Sequence, residues 1–156
     1  MSGHGAPEIF ADGAGAKVVI VASRWHTEVM DGLIAGAQRA LSDADVSDVT
    51  LVRAPGSFEL PVLALAHAQH GFDVVVALGV IIRGGTPHFE YVSAAATDGL
   101  NRVALDTGVP IGFGLLTCDD EAQALDRAGL PDSREDKGRE AAEAALATWN
   151  ILRNLL

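Results

Sequence analysis

The chain holds a single cysteine, Cys118, among its 156 residues, so no disulfide can form within it and stability must come from packing. Aromatic residues make up only 5%, and basic residues are outnumbered, with 11 Lys and Arg against 21 Asp and Glu. A formal net charge of −10 argues against nucleic acid or an anionic membrane as partner, because both demand a cationic face. It still leaves room for a small phosphorylated ligand in a locally positive pocket. No apolar run is long enough for a bilayer, since the stretch from Val74 to Ile82 falls far short of the roughly 20 residues a spanning helix needs. The N-terminus lacks the basic flank and apolar core of a signal peptide, so a reducing cytoplasm is the expected location. Metal-ligand spacing is missing too. His67 and His70 sit in an aliphatic stretch with no thiol or carboxylate beside them, and metal catalysis is not expected.

What the chain does have is aliphatic mass. At 49% hydrophobic it can bury one core, and its length suits one domain of ordinary size. Residues 1–16 are glycine-rich and loosely patterned, which predicts a mobile tail in which only Glu8-Ile9-Phe10 is able to dock; a single domain is expected over 17–156. No internal repeat is apparent. From Lys17 onward the pattern alternates, predicting strands over 17–22, 49–53, 74–82 and 110–117, with helices over 27–41, 57–70, 88–106 and 120–128. A polar linker broken by Pro131 follows over 130–136. A last helix over 137–155 would set Ala141, Ala145, Trp149 and Leu152 on one face. Nine apolar residues in a row, without the alternation of a half-wet strand, mark 74–82 as covered on both faces. Repeated strand and helix of this length predicts an α/β, flavodoxin-like three-layer sandwich, a four-stranded parallel sheet flanked by helices.

In such a sheet, ligands bind outside the carboxyl ends of the strands, and the unusual residues fall there. Ser23-Arg24-Trp25-His26 follows the first strand, Ala54-Pro55-Gly56-Ser57-Phe58-Glu59 the second, and Arg83-Gly84-Gly85-Thr86-Pro87-His88 the third. Gly84 and Gly85 can turn successive backbone N–H groups toward one point, and the helix start beyond them adds partial positive charge, which together make a phosphate cradle. Pro87 suits the first helical turn and presets the approach of His88, whose imidazole titrates near neutrality. A Gly-Gly pair also serves as a bare turn, and a histidine at a helix start is often merely solvated. Trp25 offers a face for a heteroaromatic ring or packs against the fold. Ser57 is a plausible N-cap, Glu59 complements a helix dipole or grips a ligand hydroxyl, and Phe58 most often would be core.

Four of these segments together resemble the 6,7-dimethyl-8-ribityllumazine synthase family, and the resemblance runs from Lys17 nearly to the end. They are Trp25 after the first strand; Pro55-Gly56-Ser57-Phe58-Glu59; Ile82-Arg83-Gly84-Gly85-Thr86-Pro87-His88-Phe89-Glu90-Tyr91-Val92, the most specific; and Ala124-Leu125-Asp126-Arg127-Ala128-Gly129. His26, Ser57 and Pro87 stand where the family more often has Asn, Ala and Thr.

The resemblance implies condensation of 5-amino-6-(D-ribitylamino)uracil with 3,4-dihydroxy-2-butanone 4-phosphate, releasing phosphate and closing a pteridine ring without a cofactor. It implies that Trp25 stacks on the pyrimidine, that Ser57, Phe58 and Glu59 hold the ribityl chain, and that the backbone of Val80, Ile81 and Ile82 bonds the pyrimidine edge. Gly85 and Thr86 would bind phosphate, and His88 would move protons. Arg127, for the phosphate, and Phe113 would reach the site from an adjacent subunit, as would Lys137, toward the pyrimidine, so a homo-oligomer is implied. The stretch from Gly129 to Lys137 is longer than the compact turn of shell-forming members, which favours a pentamer. A lumazine- or flavin-binding paralogue without turnover, and a purely structural shell protein, stay open beside the enzyme.

Overall fold

The computed structural model describes residues 4–155; the first three residues of the expected tail, and Leu156, lie outside them. Four parallel strands are ordered β2-β1-β3-β4, with β1 at Lys17–Ser23, β2 at Asp48–Ala54, β3 at Val74–Ile82 and β4 at Ile111–Cys118. Helices α1 (Thr27–Asp43), α2 (Leu60–Ala68), α3 (His88–Thr107), α4 (Glu121–Leu125) and α5 (Lys137–Arg153) complete the sandwich. The flavodoxin-like α/β expectation holds.

Alternation along each strand sorts side chains into two cores. Val18, Ile20, Val74, Val76 and Leu78 join Met30, Leu33 and Leu146 of α1 and α5. Val19, Val21, Val75, Ala77 and Leu115 join Leu60, Ala64, Leu100 and Val103 of α2 and α3. Residues 74–80 are buried throughout, as a strand covered on both faces requires. Small residues set how closely the first layer packs. A Cβ on Gly138 of α5 would collide with the Leu33 carbonyl of α1, and one on Gly112 would collide with the Ala141 carbonyl.

Several expected boundaries shift for physical reasons. The helix expected over 57–70 is a 3₁₀ turn, Ser57–Glu59, followed by α2, which stops at Ala68. Pro61 has no N–H to return to the Ser57 carbonyl, so an α-helix cannot run through that point. Ser57 is not an N-cap, because Gly56 takes that position and no side chain caps the turn. The helix expected over 120–128 keeps only five residues. Beyond it, Arg127 and Ala128 donate to Ala124 and Leu125 in tighter turns, and Ala128 pairs with Asp136 in an antiparallel bridge. The expected linker 130–136 is thus the loop and return limb of a short ribbon. Asp136 then caps α5 by accepting from the Arg139 N–H at 3.0 Å. On α5, Ala141 and Ala145 are buried and Trp149 packs at the core edge, whereas Leu152 is largely exposed.

The chain ahead of β1 is anchored at its inner end. Asp12 N–H donates to Asn150 Oδ1, Asn150 Nδ2 donates to the Asp12 carbonyl, and Gly13 N–H donates to the Ala44 carbonyl at 2.7 Å.

Candidate active site

The loops after β1 and β2, the end of β3 and the head of α3 meet at one cavity of about 830 Å³, within the size range of small-molecule sites. Trp25 and His26 line it from the β1 loop, residues 56–59 from the β2 loop, and Val80, Ile81 and Ile82 from the end of β3. His88, the first residue of α3, stands over it. Trp25 and Phe58 are each 64% exposed, so neither is spent on the core. That overturns the expectation of Phe58 as a core residue; both offer apolar faces to whatever fills the cavity.

Ser57 is the buried polar residue of this wall. Its Oγ has no hydrogen-bond partner among the described residues, and a Cβ on Gly79 would approach it to 2.8 Å. Glycine at that strand position makes space for the hydroxyl. Glu59 is half-buried at the start of α2, with one carboxylate oxygen near Gly56.

Gly84, Gly85 and Thr86 are exposed between Ile82 and His88, and do not themselves line the cavity. Neither glycine has a left-handed backbone, and a Cβ on either would meet nothing within 4 Å. The chain therefore does not need glycine there for its own conformation. The bend is held from outside by Arg83: its N–H donates to the Cys118 carbonyl, Nε to Asp119 Oδ1 at 3.0 Å, and Nη1 to Glu90 Oε1 at 3.2 Å. Its guanidinium also covers the Phe89 ring at 4.4 Å. These pairs hold the Asp119 carboxyl below its ordinary range and raise Arg83. The start of α3 is thereby tied to the end of β4.

Sequence reasoning missed His26, Tyr91, Val92 and Ala95 of the lining. The last three had a signal, since they follow His88 at helical spacings of three, four and seven. His26 had none. It begins α1 with a left-handed backbone, φ 59°, a conformation uncommon outside glycine, and so turns the loop back beside Trp25.

Besides Gly85 and Thr86, three further expected residues are not brought to the cavity of their own chain. Phe113 is 51% exposed on the edge strand β4. Arg127 lines a separate acidic cleft with Glu28, Asp120, Asp126 and Asp132. Lys137 begins α5, with Nζ 2.8 Å from Glu140 Oε2 and 3.5 Å from Glu135 Oε1. Among the described residues no His, Cys, Asp or Glu cluster is suited to a metal ion, and no helix is long and apolar enough to cross a membrane.

A parallel sheet in the order 2-1-3-4 with a cavity over its carboxyl edge defines a ligand-handling α/β protein of the flavodoxin-like class. Comparison with known proteins narrows the class. The profile of the 6,7-dimethyl-8-ribityllumazine synthase family matches residues 15–153. Proteins of that name are 67% identical in Leifsonia xyli subsp. xyli, over 99% of each chain, and 64% identical in Kineococcus radiotolerans, over 99% of this chain and 96% of the relative. The one from Clavibacter sepedonicus is 65% identical over 98% of this chain and 97% of its own. The chain belongs to the 6,7-dimethyl-8-ribityllumazine synthase family.

Proposed function

We propose that this protein catalyses the condensation of 5-amino-6-(D-ribitylamino)uracil with 3,4-dihydroxy-2-butanone 4-phosphate to 6,7-dimethyl-8-ribityllumazine, the penultimate step of riboflavin biosynthesis. The observation that carries the reading is the meeting, in a chain of this family, of Trp25, residues 56–59, the end of β3 and His88 around one cavity. The indole of Trp25 stacks on the pyrimidine. Backbone groups of Val80, Ile81 and Ile82 bond its edge, while Ser57, Phe58 and Glu59 take the ribityl chain. The Ser57 hydroxyl, without a hydrogen-bond partner among the described residues, and the Glu59 carboxylate suit a polyol. Gly85 and Thr86 take the phosphate group, where side-chain-free backbone leaves N–H groups open to an anion.

Chemistry then needs little beyond proton movement and alignment. The amine attacks the ketone and water leaves, giving an imine; elimination of phosphate leaves an enol that tautomerises to a ketone, and the second amine closes the ring on that ketone with loss of a second water. Imidazole both gives and takes protons near neutrality, so His88 serves these steps. Both reactants are already reactive, and holding them in register supplies a large share of the acceleration.

The site is completed by a neighbouring copy, which brings Phe113, Arg127 and Lys137. Two observations support assembly: those residues lie away from their own cavity, and exposed apolar side chains are abundant, with Leu51 on edge strand β2 and Phe113 on edge strand β4. A homopentamer is the proposed form, and the cytoplasm the proposed compartment. The test mixes both substrates and follows phosphate release together with lumazine fluorescence. Parallel rise of the two signals is expected; tight binding without turnover overturns the enzyme in favour of a binder. Light scattering on the same sample should report about five chains per particle.

A further inference from the structure

The ribbon that replaces the expected linker places one carboxylate between the two cations assigned to the neighbouring site. Its limbs are joined by Glu135 N–H to the Asp126 carbonyl, Lys137 N–H to the Arg127 carbonyl and Gly129 N–H to the Glu135 carbonyl, each at 3.0 Å. Arg127 and Lys137 thus stand opposite each other, with Glu135 on the diagonal. Glu135 Oε2 lies 3.5 Å from Arg127 Nε, and Glu135 Oε1 lies 3.5 Å from Lys137 Nζ. Its side chain is only 15% exposed. Two other acids of the ribbon are engaged elsewhere: Asp126 receives Arg134 Nε at 2.6 Å, and Asp136 receives Arg39 at 2.8 Å.

We propose that Glu135 is the internal counter-ion of the anion site, holding Arg127 and Lys137 in register when the site is empty and competing with phosphate for Arg127 when it is occupied. The inference rests on the reading that Arg127 takes the phosphate group, with Lys137 brought to the same site by the same neighbouring copy. Both ion pairs exceed the roughly 2.7–2.9 Å of charge-assisted hydrogen bonds, so they are displaceable, whereas the ribbon is fixed by its backbone. Arg127 Nη1 is also committed, donating to the Gln123 carbonyl at 2.8 Å. Its guanidinium keeps further N–H groups for an outside anion. A phosphate, with a charge of about −1.5 to −2 at neutral pH, outcompetes a single carboxylate. After phosphate is cleaved from the substrate, the same carboxylate favours its departure by re-forming its pair with Arg127. Without Glu135, Lys137 would keep its pair with Glu140 at 2.8 Å, but Arg127 would lose its carboxylate and would retain an anion more firmly.

The test is direct binding of inorganic phosphate to the assembled protein by calorimetry, paired with inhibition of turnover by phosphate. Glu135→Gln should bind phosphate about three- to fivefold more tightly than the unaltered protein, with inhibition strengthened to match. Glu135→Asp, whose shorter side chain draws the charge back from both cations, should fall between. Unchanged phosphate affinity in both variants, or weaker affinity in either, overturns the proposal; a merely structural residue would lower the melting temperature without tightening phosphate binding. If instead Arg127→Ala binds phosphate as well as the unaltered protein, the reading of Arg127 as an anion ligand fails, and this inference fails with it.

Discussion

His88 is an exposed side chain at the head of α3, over the cavity proposed to hold both reactants. His88→Ala should slow lumazine formation by about ten- to a hundredfold, the low end of general acid-base contributions, without abolishing it. An unchanged rate at saturating substrates would remove the proton-transfer role. Cys118 is the contrasting residue. It is buried at the end of β4, and burial raises its thiol pKa above the ordinary value, opposed by the nearby charge of Arg127. A raised folded pKa means that the native state favours the protonated thiol: its contribution to stability is complete below the unfolded thiol's pKa and is lost as pH rises through the folded one. Iodoacetamide at pH 8 should therefore leave the native protein unlabelled and label it upon unfolding; rapid native labelling would contradict the burial. Trp25 and Phe58 show where residue chemistry misleads, since apolar rings usually read as core and here stay exposed at the cavity.

Among the elements, the interface of α1 and α5 tolerates no added atom at Gly138, where a Cβ would strike the Leu33 backbone carbonyl. Backbone cannot rotate away as a long side chain would. Gly138→Ala should cost about 1–3 kcal/mol, the usual range for overpacking, readable as a lower urea midpoint, whereas Gly108→Ala at the end of α3 tests left-handed backbone alone because nothing lies within 4 Å. Equal stability of Gly138→Ala and the parent would show that α5 sits farther from α1. The strands and long helices were legible in sequence, because uninterrupted or periodic apolar residues specify burial directly. The ribbon was not. Its limbs are polar and short, and they pair because Gly129, with φ +69°, lets the chain fold back against Asp136.

For the whole molecule, the proposed ring makes each site the joint property of two chains, a heterologous interface that closes on itself. Co-assembly of His88→Ala with Arg127→Ala should restore about a quarter of the parental activity, since random mixing leaves roughly that share of sites with both groups intact. Activity no higher than the average of the separate variants would place Arg127 in its own chain's site, or outside any site. Dilution should abolish activity as the particles dissociate.

By itself the sequence determined the layer order of strand and helix, the covered character of 74–82, and the loops after the first two strands that line the cavity, because hydrophobic period and turn chemistry are local properties. It also carried the family motifs. Only the tertiary structure decided that Arg83 fastens the bend to Asp119 and Glu90, that Ser57 keeps an unpartnered hydroxyl beneath the cavity, and that Glu135 stands between Arg127 and Lys137. Those are pairings between positions whose closeness depends on how layers pack, and no spacing along the chain encodes them.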